Sequence, residues 1–255
     1  MYKALIADLD GTAVRLTSDG SDIDNRTRHA VAEAIRRGFK IACATGRDWS
    51  FASPVITSLG LTAPCVIAGG TRIVDAKTGE KLWEKSFEKG VSEQVLEIYQ
   101  SCSDTGFLMA SFHDQRQHIK EVTNVPDEAS YMYLVAIPEA VALEIVKRVN
   151  GLGTTVAHLT PSWDGEHLFD LHTTHKDGTK ANGIREWHKL TGISQAETIG
   201  MGDSGNDLPI FDAAGLKVAV ANAQILLKDQ ADYIAPAATD HALEHVIERF
   251  LLDQR

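Results

Sequence analysis

Two aspartates one residue apart, Asp8 and Asp10, end the apolar run Ala4-Leu5-Ile6-Ala7 and are followed by Gly11-Thr12. A continuous apolar run closed by a glycine turn reads as a buried parallel strand, and open α/β sheets bind ligands just beyond the carboxyl ends of such strands. Side-by-side carboxylates repel unless a cation or a shared proton relieves them, so the pair implies a metal site or acid/base work. The plainer alternative is a solvated Asp-Gly turn. A calcium loop of the EF-hand kind does not fit, because Gly11 comes too early after Asp8 and no glutamate follows at the needed distance.

Three later stretches carry complementary chemistry. Thr45-Gly46-Arg47 follows the apolar run 39–44 at the start of a helix. A hydroxyl and free backbone N–H groups there make an anion site, Arg47 adding a bidentate donor, although the same threonine also suits an ordinary N-cap. Lys176 and Lys180 flank Asp177-Gly178-Thr179, and either is a plain surface lysine unless a carboxylate cluster partners it. Gly202-Asp203-Ser204-Gly205-Asn206-Asp207 follows a strand from Glu197 to Met201, and such polar density at a sheet's carboxyl edge is costly unless something is bound there.

The elements that must position these residues alternate strand and helix. A helix capped by Asp24 or Asn25 runs to Arg37 and stops at Gly38; another spans 50–59 before Gly60; a strand at 64–68 closes on Gly69-Gly70. From 81 to 173 the pattern changes to alternating or aromatic strands (81–87, 107–113, 132–137, 168–172) separated by helices at 92–103 and 138–150, a small α+β insert with two similar halves. The polar stretches 114–130 and 162–165 read as loops. A helix over 181–191, the strand ending at Met201, a helix with Pro209 in its first turn and the run 218–223 resume the first pattern. The acidic loop 19–24 fits no calcium pattern, and His241 and His245, four apart, lack a third ligand nearby.

Composition narrows the function classes. With 25 Lys and Arg against 35 Asp and Glu, the net charge of −10 repels nucleic acid and acidic membrane surfaces. A phosphorylated small molecule is repelled as well, unless local cations reverse the sign. No window approaches a membrane span. Met1-Tyr2-Lys3 leads straight into the first strand, unlike a secretory signal, so the expected location is cytoplasmic. Cys43, Cys65 and Cys102 show no Cys-x-x-Cys spacing and read as small buried hydrophobes.

Asp8-Leu9-Asp10-Gly11-Thr12 resembles the nucleophile motif Asp-x-Asp-Gly-Thr of the haloacid dehalogenase superfamily. Thr45, the lysine before 181–191 and Gly202–Asp207 resemble its other three motifs in order. The insert is similar to the C2-type cap of the Cof-like branch (class IIB). The resemblance implies a doubly wound parallel α/β core (1–80 and 174–255) with an α+β cap (81–173) that governs substrate choice. It implies a Mg2+-dependent phosphatase acting on a small phosphorylated metabolite through an aspartyl phosphate.

By the same resemblance Asp8 is the nucleophile, and Asp10 is the general acid and then base. Mg2+ is held by Asp8, the Asp10 carbonyl and Asp203, with Asp207 orienting its ligands. Thr45, Gly46, Arg47, Lys180 and Asn206 bind the phosphoryl group. Lys180-Ala181-Asn182-Gly183-Ile184 matches the family's lysine-opened helix better than Lys176 does. Gly69-Gly70-Thr71 departs from the usual Asn-Gly-Ala. In the cap, His113, Arg116, His118, Trp163, Asp164 and His167 are the expected substrate-selecting residues. A phosphosugar mutase using the same aspartyl phosphate and a non-catalytic phosphate-binding module are the alternatives. The expected assembly is a monomer or weak homodimer.

Overall fold

The computed structural model describes residues 1–17, 20–162 and 164–253. Asp19 of the acidic loop, Trp163 and the His113 side chain therefore lie outside the described residues. The chain forms two compact units, one of residues 1–83 with 179–255 and one of residues 84–178.

In the first unit β1 (Ala4–Ala7), a hairpin of β2 (Arg15–Thr17) and β3 (Gly20–Asp22), α1 (Asn25–Arg36), β4 (Lys40–Cys43), α2 (Trp49–Leu59), β5 (Cys65–Ile67), β6 (Arg72–Val74) and β7 (Lys81–Glu84) precede the insert. Beyond it come α5 (Lys180–Thr191), β13 (Thr198–Gly202), α6 (Leu208–Asp212), β14 (Leu216–Val220), α7 (Ile225–Lys228), β15 (Tyr233–Ala235) and α8 (Ala242–Ile247). The strands form a parallel sheet in the order β15-β14-β13-β1-β4, extended towards β5 by a parallel bridge between Ala44 and Val66.

All four residues of β1 are buried. Ala4 and Ile6 pack with Ile184 and Trp187 of α5 and Ile210 of α6, and strand alternation turns Leu5 and Ala7 to the opposite face. Both faces are covered, which is why the strand reads as an unbroken apolar run. β1 pairs with β4 on one side and β13 on the other, Ala7 lying level with both Cys43 and Met201. The chain steps outward from β1 to β4, then returns to β13 on the far side. The crevice at the ends of β1 and β13 is therefore the topological switch point of the sheet, and the sequence-predicted motifs at Asp8–Thr12 and Gly202–Asp207 follow these two strands.

Helix boundaries follow local chemistry. Asp24 caps α1, accepting from the Arg26 and Thr27 N–H groups at 2.7 and 2.9 Å. Asp48 caps α2, which starts at Trp49, one residue before the expected start, and ends as expected before Gly60. Thr179 caps α5 and leaves Lys180 as its first residue. Cys43 and Cys65 are buried free thiols and Cys102 is half-buried. Among the described residues no helix is long and apolar enough to cross a membrane.

The second unit holds α3 (Val91–Cys102), β8 (Phe107–Ala110), β9 (His113–His118), β10 (Tyr131–Pro138), α4 (Glu139–Asn150), β11 (Thr155–Pro161) and β12 (Leu168–His175). Its antiparallel sheet runs β11-β12-β10-β8-β9, and Val95, Tyr99, Ile145 and Val149 of the two helices share a core with Leu108, Met132, Leu134 and Leu171. A helix followed by an antiparallel hairpin occurs twice, α3-β8-β9 and α4-β11-β12.

Two expectations need correcting. β9 and a 3-10 turn at Ile119–Glu121 occupy the start of the stretch read as a loop from 114. β11 was not expected at all. The run 218–223 is, as expected, a strand and then a turn: β14 ends at Val220 and the Ala223 N–H bonds back to the Val220 carbonyl.

Candidate active site

The first-strand motif folds into a tight loop immediately after β1. The Asp8 N–H bonds the Met201 carbonyl at 2.9 Å, tying the loop to β13, and the Ala13 and Val14 N–H groups turn back onto the Leu9 carbonyl at 3.1 and 3.0 Å. Gly11 adopts φ +74°, and a Cβ built on it would lie 2.9 Å from Asp203 Oδ2, so both backbone conformation and close approach require glycine there. Thr12 donates to Asp203 Oδ1 at 2.9 Å, and the Asn222 side chain donates to the Gly11 carbonyl at 2.9 Å.

Lys180 is the hub of the charged cluster. Its ammonium, 7% exposed, donates to Asp8 Oδ1 at 2.8 Å and to Asp207 Oδ1 at 2.7 Å. Asp207, fully buried, accepts at its other oxygen from the Asp203 and Ser204 N–H groups, both at 3.0 Å, and from the Ser204 hydroxyl. Burial pushes the Asp8 carboxyl up to about 7; Lys180 pulls it down, and Asp207 and Asp10 push it up again. Burial works against the Lys180 ammonium, yet its two carboxylate partners outweigh that and hold it above its ordinary value. Asp203 is raised too, by burial and by Asp207, against the Thr12 hydrogen bond.

Asp8, Asp203 and Asp207 each bring a carboxylate oxygen within 4.8 Å of the others. An all-oxygen donor set of this kind suits a hard divalent cation. Charge agrees with that: four carboxylates (Asp8, Asp10, Asp203, Asp207) meet two cations (Lys180, Arg47), leaving two formal negative charges. Both Asp207 oxygens are taken by protein donors, so Asp207 braces the set while Asp8 and Asp203 offer oxygens to an ion.

Asp10, a third exposed, is gripped by Arg47: Nε donates to Oδ2 at 2.9 Å and Nη2 pairs with Oδ1. The expected phosphate ligand thus binds the expected acid/base. The buried Thr45 accepts the Arg47 N–H at its hydroxyl. Its carbonyl accepts from Gly69, and the Arg47 carbonyl from Ala68, so the loop 45–47 is stitched to the turn 68–70. Gly69 is left-handed (φ +69°), a conformation asparagine also adopts, so the departure from Asn-Gly is compatible with the same turn. Gly70 has φ +107° and a Cβ there would sit 2.1 Å from the Thr179 carbonyl carbon, so this glycine lets the start of α5, and with it Lys180, approach.

Gly46 is exposed beside Thr45, and Asn206 is exposed on the 3-10 turn Gly205–Asp207, outside the carboxylate cluster. Lys176 is exposed within the second unit. There, Arg116 and Asp164 pair with each other at 2.9 Å, and the guanidinium stacks 4.9 Å over the Phe107 ring. His118 accepts the Lys120 N–H, and His167 is exposed with φ +62°. Thr12, Ser204 and Asn222 were not singled out from sequence. Thr12 had a signal, its place in the first motif, while Asn222 had none.

Residues 5–247 match the family model for haloacid dehalogenase-like hydrolases. A phosphoglycolate phosphatase of Sulfolobus acidocaldarius is 30% identical, with 98% of this chain and 97% of that protein covered. A 5-amino-6-(5-phospho-D-ribitylamino)uracil phosphatase of Bacillus subtilis is 24% identical over 98% and 96%. A haloacid dehalogenase-like hydrolase from Bacteroides thetaiotaomicron superposes with a TM-score of 0.77 at 20% identity, covering 98% and 99%. The chain belongs to the haloacid dehalogenase-like hydrolase family. It is an enzyme of that family's phosphatase class.

Proposed function

We propose that the protein hydrolyses the phosphomonoester of a small phosphorylated metabolite, with Mg2+ as cofactor and Asp8 as the covalent nucleophile. A carboxylate oxygen of Asp8 attacks phosphorus, the bond from phosphorus to the ester oxygen breaks, and that oxygen takes a proton from Asp10. Water then attacks the acyl phosphate, giving its proton back to Asp10 and releasing phosphate and free Asp8. Both Asp10 oxygens are held by Arg47, so a protonated Asp10 needs the guanidinium to let go. A phosphoryl group that draws Arg47 to itself would free Asp10 at the moment its proton is wanted. Lys180 neutralises Asp8 and, with Thr45, supports the oxygens of the transferring group. Asp8 and Asp203 would hold the ion with the Asp10 carbonyl, and Asp207 would steady them. The bound cation would let an anionic carboxylate approach an anionic phosphate.

The observation that carries this reading is the position of Asp8: buried at the switch point of the sheet, paired with Lys180, and grouped with Asp203 and Asp207. The unit 84–178 is proposed as the element that selects the leaving group, as the two phosphatase relatives name different substrates. Phosphate release from a panel of sugar phosphates, phosphoglycolate, pyridoxal phosphate and nucleotides, with Mg2+ and with excess EDTA, tests it. Full activity in EDTA, or no release from any monoester, overturns it.

A further inference from the structure

A second group of metal-capable side chains lies in the core unit, apart from the carboxylates around Lys180. Asp24 caps α1, His241 immediately precedes α8, and Glu244 lies in the first turn of α8. His241 Nδ1 lies 2.7 Å from Asp24 Oδ2 and 3.9 Å from Glu244 Oε2, and the three donor atoms all fall within 4.8 Å of one another. Glu244 is 6% exposed. Its Oε1 is bonded to Arg26 at 2.9 Å, but Oε2 is buried with no hydrogen-bond partner. A buried carboxylate oxygen without a donor is expensive, because it forgoes hydration for nothing. This one sits beside an imidazole nitrogen and a second carboxylate.

We infer that Asp24, His241 and Glu244 form a second cation site, selective for a zinc-like transition metal. An imidazole nitrogen with two carboxylate oxygens favours such ions over Mg2+ or Ca2+, which prefer oxygen alone. Bonds of about 2.0–2.2 Å in tetrahedral geometry place ligand atoms roughly 3.3–3.6 Å apart. The 2.7 Å pair must therefore open and the 3.9 Å pair close by less than 1 Å each. The proton now shared by His241 Nδ1 and Asp24 Oδ2 leaves to solvent as the metal–nitrogen bond forms, and water completes the coordination. The ion would clamp the start of α1 to the start of α8, two helices already packed together. Its role is structural, since these ligands lie outside the Asp8 cluster.

The test titrates the full-length, chelator-stripped protein with Co2+ in excess Mg2+, which occupies oxygen-only sites, and reads the visible d–d bands and Tm. The expected result is one equivalent of Co2+ with a rise in Tm, displaced by Zn2+. This equivalent persists in Asp203→Asn. Its affinity falls at least about 100-fold in His241→Asn, where even loss of an outer partner costs 10–100-fold, and in Glu244→Gln. Asparagine tolerates the left-handed backbone of His241 (φ +60°), so the first variant keeps its fold, which circular dichroism verifies. Absence of Co2+ binding in excess Mg2+, equal binding by wild type and His241→Asn, or loss only in Asp203→Asn overturns the inference.

Discussion

Replacing Lys180 by methionine removes the one ammonium shared by Asp8 and Asp207 while keeping a side chain of similar length. Unit charges about 3 Å apart attract by roughly 5 kcal/mol at an effective dielectric of ~20, and burial of the ammonium cancels much of that. What remains after deleting one partner of a buried pair is a destabilisation of about 3–5 kcal/mol, because the carboxylates stay behind unpaired. That cost depends on pH in a direction set by Asp8. Its carboxyl is raised from 3.8 to about 7, so in the metal-free protein the neutral form is favoured by folding. Stability from this group is full at low pH and is lost as pH rises towards 7. Without Lys180 the rise is larger, so the loss in Tm between wild type and Lys180→Met is greater at pH 8 than at pH 5.5. In assays with added Mg2+, the proposed cofactor, kcat should fall at least about 100-fold, as for removal of one charge-stabilising donor. Thermal melts of EDTA-treated protein at the two pH values and steady-state phosphate release provide the readouts, with Lys176→Ala as the exposed control near wild type. A loss in kcat under tenfold, or an equal Tm shift at both pH values, refutes the reasoning.

The turn that admits α5 is testable on its own: Gly70→Ala combines strain at φ +107° with a Cβ 2.1 Å from backbone, and should cost about 3 kcal/mol or more. At roughly 2–4 °C per kcal/mol, melts should show a drop of about 6–12 °C; a shift under 2 °C contradicts the packing described. If the guanidinium both binds phosphate and releases Asp10, as proposed, Arg47→Ala assayed for initial rates should raise KM for the phosphorylated substrate and lower kcat; unchanged kcat and KM would remove it from the site. Exchanging 162–167 for a Gly/Ser linker should lower kcat/KM for the best substrate in the panel far more than for a small aryl phosphate. Equal losses would return selectivity to the core.

The core was legible because chemistry and periodicity coincide there. The apolar run 4–7 is unbroken because both faces of β1 are buried, and the motifs at Asp8, Thr45 and Gly202–Asp207 follow the carboxyl ends of the adjacent parallel strands β1, β4 and β13. Lys180 could be preferred to Lys176 because a helix start places it, and the structure puts Lys180 among carboxylates and Lys176 in solvent. Less was legible where polar side chains make structure by pairing across the fold. The strand His113–His118 is polar throughout and so shows no alternation, and Thr155–Pro161 is an edge strand carrying histidine, threonine and proline. The mutual grip of Arg47 and Asp10 joins residues 37 apart, with no local signal. The spacing of His241 and His245 suggested a shared helix face. His241 instead lies ahead of α8 in a left-handed conformation and turns to Asp24, while His245 Nε2 meets the Tyr233 hydroxyl at 2.7 Å.

The central claim is that Asp8 carries the phosphoryl group. Acid quenching during turnover in Mg2+, followed by peptide mass spectrometry, should find one added phosphoryl group on the peptide containing Asp8. That species should be discharged by hydroxylamine and be absent from Asp8→Asn, which should also be inactive though folded. An Asp8→Asn protein that turns over at an appreciable rate, or a phosphoryl group found on any other residue, would contradict the account.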